Sequence, residues 1–321
     1  MNVAAGNILQ AIGFLVIGFV AAAVVGMFAH WFDRKLTARI QWRVGPPFFQ
    51  PVWDFLKLLG KEVVVPEGAS RFLFLSAPLF GLAAVTVVTA ILIRAVIFPA
   101  QSFVGDLIVV IYLLTVPSQA VILGSFASAN PLASLGGSRE MKQILSYELP
   151  FILAIIVVLI KTGGALRIGE IIKYQAGSRP IVASVSGAIA FLMSLLVMQA
   201  KLAKGPFDSP EAETEIMGGA YIEYSGVALG VFKLTQWMML FTMPLFLIVV
   251  FLGGINWAGS FLNLLYAALE YLGILLVMVL IRNTNPRVRI DQTMKFFWAM
   301  VAPFGVAAIV LAFLGLRFRG L

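Results

Sequence analysis

The sequence predicts an all-α, polytopic integral membrane protein of about eight transmembrane helices, and three observations carry that reading. Hydrophobic residues make up 61% of the 321 positions and charged residues only 12%, where a soluble domain carries about a quarter. Mean hydropathy is correspondingly high, at +0.99. The apolar runs approach or exceed the roughly 20 residues that cross a bilayer as a helix, and they lack the strict alternation of outer-membrane barrel strands. Nothing in the composition marks a linker, so residues 1–321 are expected to form one membrane domain.

The spans are expected at residues 7–30, 72–98, 104–128, 145–164, 182–200, 226–250, 258–281 and 296–316. The first has no basic segment before it and reads as a span, not as a cleaved signal. Most of the 23 Lys and Arg residues fall in the loops that follow odd-numbered spans, and the positive-inside bias assigns those loops to the cytoplasmic face and both termini to the outside of the cell membrane. That bias also explains the net charge of +8, so nucleic acid is not an expected partner. With no Cys and a single His, His30, the chain alone holds neither a thiolate-bound cluster nor a haem or zinc site. Any redox centre is expected in a partner.

Each inner loop carries its own signal. In the first, residues 31–71, Arg34, Lys35 and Arg43 precede QPVWDFLKLLGKE, which has the helical period and ends at Glu62. Asp54, Lys57 and Lys61 share one face of this helix and Val52, Phe55, Leu56 and Leu59 the other, so it is expected to lie in the membrane interface. The second loop, GGSREMKQILSYELP, leads into span four and puts Glu148 about one turn into the apolar run. A carboxylate there is costly unless paired or hydrated.

The third inner loop, KLAKGPFDSPEAETEIMGGAYIEYSG, holds Asp208, Glu211, Glu213, Glu215 and Glu223, a third of the 15 acids in under a tenth of the chain. Asp208 and Glu211 have capping-box spacing with Pro210 in the first turn, so a short helix is expected to start there. Its one face would carry Asp208, Glu211 and Glu215. The helix macrodipole accounts for acids at Asp208 and Glu211, but less well for Glu215 and Glu223. Lys233 in span six and Glu270 in span seven are expected to face the bundle interior, pair or line water, with each other or acids of neighbouring helices as the candidate partners. The last inner loop, IRNTNPRVRIDQTMKFFW, adds Arg282, Arg287, Arg289 and Asp291. No Walker motif, dinucleotide fingerprint, nucleophile elbow or metal-ligand spacing occurs.

Together these segments resemble one family: the membrane subunit that forms the quinone chamber of respiratory complex I, with its homologues in energy-converting membrane-bound nickel–iron hydrogenases. The resemblance rests on Arg34-Lys35 with RVGPP and QPVWDFLKLLGKE; Arg139, Gln143 and Ser146-Tyr147-Glu148; GPFDSPEAETEIMGGAYIEYSG; and Arg282 with NPRVRIDQ. It covers essentially the whole chain, in order.

The resemblance implies a cofactor-free, non-catalytic subunit at the junction between a peripheral redox arm and the membrane. Its implied partners are the hydrogenase large and small subunits, an iron–sulfur subunit and antiporter-like membrane subunits, with the nickel–iron centre and the clusters in those partners. A coupling path would involve Glu148, Glu211, Glu213, Glu215, Glu223, Lys233 and Glu270. The docking surface would involve Arg34, Lys35, Arg43, Asp54, Lys57, Lys61, Glu62, Asp208, Arg282, Arg287, Arg289 and Asp291. Two departures favour the hydrogenase-type branch over quinone reduction. Gly45-Pro46-Pro47 runs almost directly into Gln50-Pro51, and Thr235-Gln236-Trp237 stands where quinone-reducing members place a Glu. The same subunit in a sulfur-reducing or quinone-reducing complex, a stand-alone secondary transporter and a purely structural anchor are the rival readings. The transporter would require an inverted repeat, and the sequence shows no convincing one.

Overall fold

The computed structural model describes residues 2–255 and 261–317, and for residues 2–8, 261, 316 and 317 the backbone only. The helices are α1 (Asn2–Ile40), α2 (Gln50–Leu59), α3 (Arg71–Ile97), α4 (Asp106–Leu113), α5 (Val116–Ala127), α6 (Pro131–Lys161), α7 (Ile168–Gly177), α8 (Val185–Lys201), α9 (Glu213–Ile216), α10 (Gly226–Leu247), α11 (Phe261–Thr284), α12 (Ile290–Lys295) and α13 (Ala302–Arg317). Among the described residues, seven helical stretches are long and apolar enough to cross a membrane, and α8 is a shorter apolar helix. At 1.5 Å per residue α8 reaches about 26 Å, close to the hydrocarbon thickness of a bilayer. The eight-span reading holds; Arg319 and residues 258–260 at the start of the seventh predicted span lie outside the described residues.

α10 is the central post. It is apolar all round, as a helix surrounded by others must be, and 89% of its most apolar window is buried, against 17% for α1. It packs on α1, α3 and α2, while α6 packs on α5, α8 and α13. Small residues set the closest crossing: a Cβ on Gly26 of α1 would collide with the Trp237 carbonyl oxygen of α10. A hydrogen bond of 2.8 Å between Thr89 and Thr242 ties α3 to α10 in the dry interior.

Several expected boundaries move. The first inner loop is helical to Ile40, and the whole second inner loop belongs to α6, which starts at Pro131 with the Asn130 side chain accepting from the Leu132 amide at 2.8 Å. Pro at the first turn and an Asn cap suit a helix start. The third predicted span is broken between α4 and α5, around Leu114 and Thr115 with Pro117 just beyond. α10 continues as a π-helical turn over Ile248–Leu252, and a second such turn, Phe296–Val301, joins α12 to α13.

Breaks of this kind release backbone carbonyls where little water reaches, and those groups need partners. Buried glutamines supply them. Gln175 of α7 donates to Val249 and Val250 at 3.2 Å each, in the π-turn. Gln199 donates to the Gly205 and Met278 carbonyls. Gln143 of α6 donates to the Ala200 and Phe207 carbonyls, each at 2.8 Å, and accepts from the Ser209 hydroxyl at 3.1 Å.

Gln143 therefore clamps the stretch that follows α8. Gln143→Ala leaves two carbonyls and a hydroxyl without their partner and is expected to destabilise the fold by about 1–3 kcal/mol per orphaned group. Ser138→Ala, which removes only a hydroxyl bonded to Ser134 of its own helix, should melt with the parent. Thermal unfolding of the purified assembly compares the two.

Candidate functional site

The four predicted inner loops meet at one end of the bundle. Trp31 donates to the Pro46 carbonyl, the Ser70 amide to Ala127, the Val64 amide to the Ser225 hydroxyl, and the Val288 amide to Pro206. Their charges pair across elements far apart in sequence. Arg34 of α1 meets Asp54 of α2 at 3.2 Å, Arg139 of α6 meets Glu215 at 2.7 Å, and Arg287 grips Asp208 with two nitrogens at 2.7 and 2.8 Å. The carboxylate beside it raises the Arg287 pKa above its ordinary value.

The acidic stretch does not form the expected helix. Residues 208–212 are a chain of turns and only Glu213–Ile216 makes one helical turn, so Asp208, Glu211 and Glu215 do not share a face. Capping is worth about 1 kcal/mol, and here the bidentate bond to Arg287 takes the Asp208 carboxylate instead. Glu211 turns inward to α10, Glu215 turns to α6, and Glu213 is exposed. A close approach fixes the next turn, since a Cβ on Gly136 of α6 would collide with the Ala220 amide nitrogen.

Behind this stretch lies a cavity of about 40 Å³ whose wall includes Ser118, Glu140, Lys201, Glu211, Tyr221 and Gln236. That volume accommodates a few ordered waters. The broken third span delivers Ser118, just after Pro117, to this wall and against Glu140. Glu211 accepts from the Gln236 amide, and Gln236 also donates to the Tyr221 hydroxyl at 3.1 Å. Lys233 lies 3.9 Å from Glu211, 3.3 Å from the Gln236 oxygen and 4.9 Å above the Tyr221 ring. Burial, reinforced by the charges of Glu211 and Glu140, pushes the Tyr221 phenol well above its ordinary pKa. Tyr221 therefore stays protonated at neutral pH.

Lys201 connects this chamber to Glu148. Its side chain is 1% exposed, its ammonium lies 3.1 Å from the Glu148 carboxylate, and it sits over the Tyr147 and Phe151 rings at 5.2 and 4.8 Å. Glu223 stands apart, bonded to the Asn130 amide. Glu270 is partly exposed on α11 and has no ion pair among the described residues, so Lys233 pairs with Glu211 and not with Glu270. On α2, Pro51 is buried while Phe55 and Leu58 pack toward α10, and Val52, Leu56 and Leu59 are exposed. Lys61 falls beyond its last turn. Lys35 is partly buried, and Arg43, Lys57, Lys61, Glu62, Arg289 and Asp291 are exposed.

Sequence reasoning missed two acids. Glu140, 4% exposed, was hidden in a segment that reads as a loop, and Asp33 sat beside the more conspicuous Arg34. Asp33 is 1% exposed and is held by Arg282 at 2.8 Å and Lys204 at 3.6 Å, joining α1, α11 and the stretch after α8. His30, one turn before Asp33, stacks on Trp237 of α10 at 4.9 Å with its Nδ1 buried and unbonded.

Helices long enough to span a membrane, with ion pairs and a small acid-lined chamber among the inner loops, are the architecture of a membrane subunit of the respiratory, complex I-like class. The chain belongs to the NADH dehydrogenase family, whose model matches residues 12–313. It is 34% identical to the H subunit of NADH-quinone oxidoreductase from Syntrophotalea carbinolica, covering 95% of this chain and 96% of that one. It is 35% identical to the corresponding H subunit from Thermomicrobium roseum, covering 92% and 93%. Among solved structures it is similar to a chain of the membrane-bound sulfane sulfur reductase, an archaeal respiratory membrane complex. That match has a TM-score of 0.85 at 28% identity and covers 94% of this chain and 99% of the other.

Asp33→Ala leaves the Arg282 and Lys204 cations without their shared carboxylate. Breaking a buried pair costs about 3–5 kcal/mol, and the partial exposure of Arg282 lowers the expected loss to about 1–3 kcal/mol. Asp33→Glu should recover part of it, read as the midpoint temperature of the solubilised assembly.

Proposed function

We propose that this chain is the membrane coupling subunit of a multisubunit ion-translocating redox complex, seated where the peripheral redox arm meets the bilayer. The observation that carries the proposal is the chamber between Glu211 and Lys201, with buried Glu140 on its wall. The exposed surface formed by Arg43, Lys57, Lys61, Glu62, Glu213, Arg289 and Asp291, with Arg34, Lys35, Asp54, Asp208, Arg282 and Arg287 supporting it, receives the arm. A change of charge there is felt first by Glu213 and Glu215. It passes to the Glu211–Lys233–Gln236 cluster, then through chamber water to Glu140, and through Lys201 to Glu148. Charged groups this close, enclosed by a low-dielectric bundle, sense one another strongly, so a change of charge at one is felt by the next. Glu223 borders this path through Asn130, and Glu270 lies off it.

The chain contributes no redox centre to this scheme. Without Cys and with one His, its donor set does not suit a nickel–iron centre or an iron–sulfur cluster, and those groups are assigned to the partner subunits. The terminal acceptor is better read as protons or a sulfur compound than as a quinone. The segment between Pro47 and Gln50 is short, where the resemblance gives quinone-reducing members a longer one. The resemblance favours the hydrogen-evolving form, a ferredoxin-oxidising hydrogenase arm. The likeness to a sulfane sulfur reductase supports the sulfur-reducing form as the second reading. The distribution of Lys and Arg over the loops supports a location in the cell membrane with both termini outside.

Glu148→Gln and Glu211→Gln are expected to leave assembly and electron transfer intact while lowering the number of ions moved per electron several-fold in proteoliposomes. Unchanged pumping in an assembled, active complex would overturn the coupling role. Purification of the intact complex and assay of hydrogen evolution against sulfide production separates the two acceptors.

A further inference from the structure

A second cavity, of about 500 Å³, lies on the far side of α8 from the chamber. Leu196, Phe207, Ile281, Phe296, Ala299 and Met300 make its apolar length, and Asn285, Gln292 and Lys295 sit at its polar end. The polar end is level with the loops that hold the candidate site, where α11 ends and α12 begins. The apolar part runs along α8, α11 and the π-turn before α13, where Met300 and Trp298 are 57% and 52% exposed toward the surroundings of the bundle. A groove that is polar at the edge of the membrane and apolar along its depth matches an amphiphile with one charged head.

The donors at the polar end select the sign of that head. Gln292 and Lys295 are three residues apart on α12 and share a face. The Gln292 oxygen is already occupied by the Arg289 amide at 3.2 Å, which leaves its NH₂ as the free group. Lys295 and Arg289 have no acidic partner among the described residues, whereas the nearby Arg282 and Arg287 are taken by Asp33 and Asp208. Basic pockets between membrane helices on the cytoplasmic side hold anionic lipid headgroups, and a Lys binds phosphate as a point charge.

We infer that this groove binds an anionic phospholipid, its phosphate on Lys295 and the Gln292 amide and one acyl chain between α8, α11 and the π-turn. A bound chain there would brace Phe207, whose ring packs at a tilt against Phe296 and Phe297 at 5.8 and 5.1 Å and whose carbonyl is held by Gln143. The lipid therefore supports the acidic stretch from the side opposite the chamber.

The test uses the assembled complex in vesicles of phosphatidylglycerol mixed with phosphatidylcholine, each spiked with a photoreactive analogue of one of the two. Phosphatidylglycerol should label this subunit at least several-fold more strongly than phosphatidylcholine, at peptides from α11 to α13. Lys295→Glu should abolish that preference, and Ala299→Phe, which fills the groove without touching the cations, should reduce labelling by both lipids. Equal labelling by the two lipids in the unaltered complex overturns the inference, as does labelling unchanged in both variants. A photoreactive residue at position 299 that crosslinks to another polypeptide instead of lipid also overturns it, and assigns the groove to a protein partner.

Discussion

Irregular backbone at membrane depth has to be satisfied from within the protein, and the candidate site depends on how this chain meets that constraint. A helix crossing lipid spends every interior N–H and C=O on itself, and wherever it stops or widens some are released. Here they are released after α8, at the π-turn that ends α10 and at the break between α4 and α5. Gln143 from α6 and Gln199 from the last turn of α8 collect the first set, and Gln175 from α7 collects the second. A glutamine suits this task because its amide donates twice and accepts once without bringing a charge. The chamber wall stays in place because Ala200, Phe207 and Ser209 are fastened to α6 through one such side chain.

With the backbone secured, the charges can be distributed by long-range pairing. Asp208, Glu211 and Glu215 are near neighbours in sequence, yet they contact the loop before α12, α10 and α6 respectively. Two helices and the loop before α12 thereby converge on one short segment, and movement of any of them is felt by a different carboxylate. The exposed pairs are each worth only about 0–1 kcal/mol, so they orient the segment more than they stabilise it. Lys201 and Glu148 differ, because the ammonium is enclosed between aromatic rings and has one carboxylate to balance it. Such a pair is costly to break from one side, which suits a connection that responds to charge without coming apart.

The architecture was legible from the sequence where a local rule decides it. Span number and the amphipathic helix α2 follow from apolar length and period; spans two, five and six and the start of α2 fall within three residues of expectation, while span one runs on to Ile40 and span four begins at Pro131. The capping box at Asp208 failed because a local preference met a bidentate guanidinium arriving from residue 287. Glu140 was obscured because GGSRE reads as a loop, whereas Asn130 and Pro131 start α6 well before the apolar run begins. Asp33 gave no signal, since its partners Lys204 and Arg282 are distant in the chain. Inward-facing acids of this kind become visible only once the helices that surround them are placed.

The composition of the chamber bears on what it can hold. Position 236 carries an amide and not a carboxylate, and one turn earlier Lys233 adds a cation. A third acid beside Glu140 and Glu211 would load a cavity of about 40 Å³ with like charge, and like charges this close favour protonation of one of them. Gln236 instead donates to Glu211 and Tyr221, and Lys233 balances Glu211 directly. The wall therefore carries two carboxylates, Glu140 and Glu211, against two ammonium groups, Lys201 in the wall and Lys233 behind Glu211. Under the proposed coupling role, pairing of this kind would let a single added or lost proton at the outer surface of the acidic stretch tip the balance, because the opposite charges at the chamber largely offset one another.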